Sequence, residues 1–453
     1  MTLFQAESAA GRLAALEHGL ATPLPERLLG VLGIAVIVGL AVLLSSARGR
    51  IRWRLVGAGL ALQFAFALLI LKTGAGQATF VILGHAFTRL LGFQQEGARF
   101  VFGNLVDSTV PVVCATTPCT APPLVAQTGA FLAFNVLPTI IFFSSLMSVL
   151  YHLGVMQRVV KGIAWVMQRT LGTSGAETLS AAGNIFLGQT EAPLLVKPFV
   201  QHFTGSEMFT VMVGGFATVA GGVMAAYIGM LSGLLPNIAG HLLAASVMNA
   251  PAGLYLAKIM EPETGTPRTA DAARIDLPRT EANVIDAAAH GALQGVHLAI
   301  NVAAMLIAFV ALVALCNAGL GWLGGLWGQP DLSLPWVLGQ ILRPVAWVLG
   351  VPWQDTAYVG GLIGLKTALN EFVAYAQFAR DLGSGIVLAP RSALILTYAL
   401  LGFANLGSIA IQIGGIGGLA PERRGEIARY GLRAMIAGNF AAFTSAAIAG
   451  MLL

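Results

Sequence analysis

Long apolar runs alternate with short polar breaks along almost the whole 453-residue chain. A membrane-crossing helix needs about 20 mostly apolar residues, and eight runs meet that need: 28–46, 55–71, 131–151, 208–232, 237–257, 296–316, 392–414 and 432–453. Arginines crowd the breaks, beginning with Arg48, Arg50, Arg52 and Arg54, and such loops face the cytoplasm. Alternation from that loop puts Arg158, Lys161 and Arg169 inside, then Lys258, Arg268, Arg274 and Arg279, and finally Arg423, Arg424, Arg429 and Arg433. The alternation holds only if two polar segments, about 175–203 and 354–380, enter and leave the bilayer on one side. The pattern therefore predicts two re-entrant hairpins, the first opening inward and the second outward, and places both termini in the periplasm. Non-helical backbone at that depth is tolerated where it is buried in protein or lines a cavity.

The halves of the chain repeat this order. Gly215-Phe216-Ala217-Thr218 follows the first polar segment and Gly402-Phe403-Ala404-Asn405 follows the second, within spans of opposite sense. Inverted repeats with interrupted helices are the signature of secondary transporters. A charged linker bearing Pro262, Pro267 and Pro278 separates the halves. The predicted divisions are residues 1–130 (two helices and a periplasmic or interfacial segment), 131–257 (first repeat), 258–295 (cytoplasmic linker) and 296–453 (second repeat).

Composition agrees with an all-α polytopic membrane protein. Hydrophobic residues are 57% of the chain and charged residues 10%, against about 25% charged in a soluble domain. The formal charge of +5 does not point to nucleic acid, because the arginines lie in short loops between spans. Three cysteines make neither a disulfide scaffold nor a metal site: Cys316 reads as packing within a span, and Cys114 and Cys119 share a Pro/Thr-rich loop where pairing stays open. Met1 to Arg27 lacks a basic start followed by an apolar core, so no cleaved signal is expected.

The chemistry gathers in the two polar segments. Glu191 stands in Gly188-Gln189-Thr190-Glu191-Ala192-Pro193, flanked by apolar sequence. A carboxylate at membrane depth costs roughly 2.5–3.5 kcal/mol on insertion scales and by default marks a substrate or ion path. Gly188 permits a tight tip, and Pro193 suits the start of a returning helix. Gln189 and Thr190 there could read a small polar solute or simply satisfy one another. Asn370-Glu371 is the counterpart in the second half, with Lys366 close enough in sequence to be its structural partner. Thr218, in a glycine-rich stretch, could sit beside freed carbonyls or in close helix packing. Asn405 and Ser408 carry the same ambiguity, since Ser can bond back to its own helix.

Gly188-Gln189-Thr190-Glu191-Ala192-Pro193, Asn370-Glu371-Phe372-Val373-Ala374-Tyr375, and Gly402-Phe403-Ala404-Asn405 with Ile411-Gln412-Ile413-Gly414-Gly415 together resemble the concentrative nucleoside transporter family, over nearly the whole chain from about residue 28. The resemblance implies a bacterial inner-membrane importer of nucleosides, uridine among them. It implies sodium or protons as the driving ion, no other cofactor, and a homotrimer of subunits with eight spans and two opposed hairpins, working as an elevator in the lipid bilayer. Carried over by residue, Gln189, Thr190 and Glu191 contact the base with Val223 alongside. Glu371, Asn405 and Ser408 hold the ribose hydroxyls, and Phe403 packs on the nucleoside. Sodium rests on the side chains of Asn184 and Thr218 and the carbonyls of Leu187 and Val219. Gly407 departs from the family pattern, which leaves Ser408 expected to be less firmly held.

Independently, carboxylates accepting ribose O–H gain charge-assisted bonds, whereas a phosphorylated solute calls for Arg or Lys, and only Lys197 and Lys366 lie near. Asn184 and Thr218 offer neutral oxygen and exchange no protons, which favours sodium over a proton-coupled alternative. A membrane-embedded enzyme would need a metal cluster or nucleophile site, and His85, His152, His202, His241, His290 and His297 are scattered. A passive channel would show no concentrative uptake.

Overall fold

In a computed structural model of the chain, residues 24–107, 109–112, 124–127, 132–235, 237–268, 281–329 and 331–452 are described. Helix occupies the greater part of each of the eight predicted runs. The described residues depart from an all-α fold at one place, a two-stranded antiparallel ribbon pairing Thr109–Val112 with Leu124–Gln127. Cys114 and Cys119 lie outside the described residues.

Two apolar helices, α1 (Leu24–Leu43) and α2 (Trp53–Lys72), precede α3 (Gly74–Phe102). Helix α3 escaped hydropathy because His85, Arg89, Glu96 and Arg99 interrupt it; Thr73 caps it by accepting from the Gly76 amide at 2.9 Å. After a π turn comes α4 (Leu137–His152), then α5 (Val155–Leu171), also unpredicted. Helix α5 is amphipathic, burying Met156, Val160, Ala164, Met167 and Leu171 at helical spacing. Its ends are set by Gly154 and Gly172, both left-handed.

The first polar segment folds as α6 (Gly175–Gly183), a tip, and a 3-10 helix (Ala192–His202) that packs back on α6. The predicted span 208–232 is two helices, α7 (Gly205–Ala217) and α8 (Gly221–Leu231), with an unwound link between them. Next come α9 (Ile238–Met260) and α10 (Val284–Gly325), whose 42 residues make it about 63 Å long, well beyond the predicted 296–316. An unpredicted α11 (Leu334–Val348), rich in apolar residues but short, leads to the second polar segment: α12 (Thr356–Ala368) and α13 (Glu371–Gly383). The predicted span 392–414 is likewise broken, into α14 (Pro390–Leu400) and α15 (Leu406–Leu419), before α16 (Arg424–Leu452) closes the chain.

Six helical segments of the described residues are long and apolar enough to cross a membrane. Their burial separates centre from periphery: positions in the α7–α8 stretch are 94% buried and in α9 89%, but in α10 only 11%. Helix α10 therefore lies on the outside, and Cys316 faces outward from it rather than packing inward as its apolar surroundings suggested. Gly291 and Gly295 bring α10 close to α4; a Cβ at either would lie 2.6 Å from Ser148 Cβ or Ile141 Cα.

The base of the first helix pair is tied by buried polar groups. Ser174 and Thr204 cap α6 and α7 in reciprocal boxes with Glu177 and Glu207, and Ser174 Oγ also donates to Glu207 at 2.6 Å. Lys258 from α9 enters between them, 2.7 Å from the Glu177 carboxylate and 3.0 Å from Ser206 Oγ. At the second pair, Asp355 accepts from Ser392 Oγ at 2.5 Å, and Arg391 donates to the carbonyls of Gly350 and Gly450.

Candidate functional site

Both unwound links meet at the centre of the molecule. Gly402 adopts φ +123°, a conformation that L side chains rarely reach, and a Cβ there would sit 2.8 Å from the Phe216 carbonyl oxygen. This close approach lets the Phe403 amide donate to the Thr218 carbonyl at 3.2 Å. Two of the carbonyls that the breaks release find matching partners: Asn249 Nδ2 donates to Ala217 O at 2.7 Å, and Asn439 Nδ2 to Ala404 O at 3.0 Å. These two groups of the unwound backbone are thereby satisfied inside a hydrophobic interior.

The helix-pair tips close on these links. At the first, Gly188 turns the chain, and its amide donates to Glu191 Oε2 at 3.2 Å. The Gly221 amide donates to Phe186 O at 2.8 Å and Ser246 Oγ to Ile185 O at 2.9 Å, fixing the tip to α8 and α9. At the second, Asn370 caps α13 by accepting from the Val373 amide at 2.8 Å. Glu371 is buried, its two oxygens accepting from Tyr227 OH and from Asn405 Nδ2, each at 2.9 Å. Asn405 also caps α15, its Oδ1 accepting from the Ser408 amide at 2.8 Å. Ser408 Oγ accepts from Gln189 Nε2 at 3.1 Å, so the two tips are joined through the second link. Ser408 is thus firmly held despite Gly407. Lys366, fully buried, donates to Ala399 O at 2.9 Å, the hydrogen bond that holds it in place of the pairing with Glu371 that sequence left open.

A cavity of about 480 Å³ opens between these parts, and Gln189, Thr190, Glu191, Val223, Glu371, Phe403, Asn405 and Ser408 all line it. Its size suits a small ligand. Two carboxylates face it, and none of its described lining residues is Lys, Arg or His. Three further residues escaped the sequence reading. Tyr227, which bonds to Glu371 from behind the lining, was hidden in an apolar run. Gln412, which bonds to Gln189, stood within Ile411–Gly415 without a role. Asn301 of α10, which lines the cavity, was an intramembrane polar residue that depth alone could have singled out. Two more cavities continue along one face of α10. One reaches His290, Gln294 and Leu298, the central one runs from Leu298 to Leu306, and the third follows Leu306 through Val310 and Val313 to Asn317.

Beside the cavity, Asn184 is fully buried with neither side-chain oxygen nor nitrogen hydrogen-bonded. Its amide abuts Gly214, whose carbonyl accepts from Thr218 Oγ1 at 3.0 Å. Thr218 does bond back to its own helix, and its oxygen keeps lone pairs free to serve as an acceptor. Leu187 and Val219 are buried on the adjoining tip and link. A buried amide oxygen with no donor, next to a hydroxyl and irregular backbone, suits a hard cation.

The sequence matches three family patterns described as the N-terminus of Na+ dependent nucleoside transporters over residues 32–105, nucleoside recognition over 133–234, and the C-terminus of Na+ dependent nucleoside transporters over 241–450. An uncharacterized transporter of Haemophilus influenzae is 45% identical over 93% of this chain and 97% of its own length. Mouse solute carrier family 28 member 3 is 41% identical over 93% of this chain, which spans 58% of that longer relative. Among solved structures, CNTnw in an inward-facing substrate-bound state superimposes with a TM-score of 0.84 at 42% identity, covering 94% of this chain and 97% of that one.

Proposed function

The chain belongs to the Na+ dependent nucleoside transporter family, in its bacterial concentrative branch, and from that premise we propose that it is a sodium-driven symporter importing nucleosides across the inner membrane. It is a multi-pass membrane transporter, not an enzyme. The observation that carries the reading is the central cavity, where a neutral, hydroxyl-rich solute finds acceptors and, among the described lining residues, no cationic group that would favour phosphate. In this reading Glu371, Asn405 and Ser408 hold the ribose, Phe403 packs on the nucleoside, and Gln189, Thr190, Glu191 and Val223 meet the base. Sodium takes the Asn184 and Thr218 oxygens with the Leu187 and Val219 carbonyls. Asn184 favours sodium over a proton, since an amide offers oxygen without exchanging hydrogen.

The transport cycle in this proposal is an elevator. The two tips and the broken helices travel together past α4 and α10, and the row of cavities along α10 supports such a path. Eight spans, two re-entrant helix pairs and periplasmic termini complete the arrangement, with inverted repeats at 131–257 and 296–453 flanked by 1–130 and 258–295. Exposed Leu293, Ile300 and Ile307 on α10 recur every seven residues and support trimer contacts there. Uptake of radiolabelled uridine into proteoliposomes tests the core of this reading. An imposed sodium gradient should drive accumulation and a proton gradient should not; uptake indifferent to sodium would sink it.

A further inference from the structure

Gln189 does not meet the cavity with both ends of its amide. Its Oε1 accepts from Gln412 Nε2 at 3.2 Å, and its Nε2 donates to Ser408 Oγ at 3.1 Å. Gln412 is fully buried, and its Nε2 also donates to the Met212 carbonyl at 3.0 Å. Amide orientation follows from such networks, and this one has a fixed anchor. A backbone carbonyl only accepts, so the nitrogen of Gln412 must face Met212 O and, from the same position, Gln189. Turning Gln412 round would set oxygen against oxygen. Gln189 therefore gives its oxygen to Gln412 and turns its nitrogen to Ser408, which leaves its second N–H as the group available to a ligand. Gly215 makes the arrangement possible: a Cβ there would lie 2.8 Å from Gln412 Nε2 and 2.9 Å from Gln189 Cβ.

We infer that Gln412 is a positioning residue for base selectivity, locking the Gln189 amide so that the cavity offers the base a hydrogen-bond donor. The base edge that fits carries a carbonyl oxygen or an unprotonated ring nitrogen at that point. Gln412 touches no ligand; it acts through Gln189. This rests on the nucleoside reading above, and it adds a direction to one contact within it.

The purified full-length protein, in detergent with sodium, binds tritiated uridine in competition with cytidine, and inosine in competition with adenosine. Members of each pair differ in the donor and acceptor pattern of the base edge. The wild type discriminates within at least one pair. Gln412→Met removes the lock without changing the shape much, and brings that ratio about fivefold toward one, the worth of one neutral hydrogen bond. Gln412→Glu, held as the neutral acid against the Met212 carbonyl, accepts from the Gln189 nitrogen and turns the amide round, so the ratio moves past one toward the other member. Gly215→Ala, which pushes the pair apart, narrows the ratio as Gln412→Met does. A merely structural role would weaken all nucleosides alike. Ratios unchanged in variants that still bind, or a wild type indifferent in both pairs, overturn the inference while leaving nucleoside transport standing. A wild type that binds no nucleoside overturns both.

Discussion

Glu371→Gln separates charge from shape at the centre of the site. The amide keeps an oxygen for Asn405 Nδ2 and presents nitrogen to Tyr227 OH, which can turn and accept, so both 2.9 Å contacts survive in neutral form. What is lost is the charge behind the bonds to ribose hydroxyls, together with one acceptor oxygen, so a hydroxyl facing the amide nitrogen must turn and accept instead. Hydrogen bonds to a charged group contribute about 1.5–3 kcal/mol and neutral ones about 0.5–1.5, so each hydroxyl loses about 1–1.5 kcal/mol. Two hydroxyls give about 2–3 kcal/mol, a rise in Kd of roughly 30- to 150-fold. Isothermal titration of uridine into the detergent-solubilised protein at saturating sodium reads this directly, with the melting temperature as a control for folding. A Kd within about threefold of wild type, in a variant that melts normally, would refute the ribose role. Glu371→Ala goes further, since it orphans two buried donors and should abolish uptake.

Thr218→Ala removes one proposed cation ligand and should raise the sodium concentration for half-maximal uptake by about threefold or more, with an unchanged sodium curve counting against that ion site. Lys258→Met strands the carboxylate of Glu177, which is 1% exposed, and should cost about 3–5 kcal/mol in thermal unfolding; adding Glu177→Gln should restore most of it, and no restoration would mean the pair is not what the substitution breaks. Gly402→Ala forces a Cβ to within 2.8 Å of the Phe216 carbonyl oxygen at φ +123°, and should lower stability by at least about 1–3 kcal/mol together with uptake; a variant that melts and transports like wild type would show that the two links need not meet so closely.

Much of this was legible because a hydrocarbon solvent leaves few choices. Apolar length alone located helix in all eight runs, and the cost of a carboxylate there pointed to Glu191 and Glu371 before any geometry. Breaks within runs were less visible. The glycine-rich stretch around Thr218 hinted at one and Asn405 and Ser408 left a second open, but nothing local settled that Leu401–Asn405 would unwind, because the partner that stabilises it, Phe216–Thr218, lies far away in sequence. Helices α3 and α5 stayed hidden for a different reason, since amphipathic surfaces dilute hydropathy with charge. The contribution of α10 to the cavity was likewise a matter of tertiary placement: depth marks Asn301 as unusual, but not which site it joins until the tips are set against it. Gln412 shows the limit most clearly, since its effect depends on which atom of an amide faces a carbonyl from another helix.

The bond from the Phe403 amide to the Thr218 carbonyl joins, through a single residue, the wall of the central cavity to the proposed seat of the cation. If the occupant of one neighbour shifts this shared backbone, it alters the energy of the other, and linkage then returns the effect in equal measure. Co-transport stoichiometry can then be enforced locally, with neither cargo needing to signal across the bilayer for its companion to be retained.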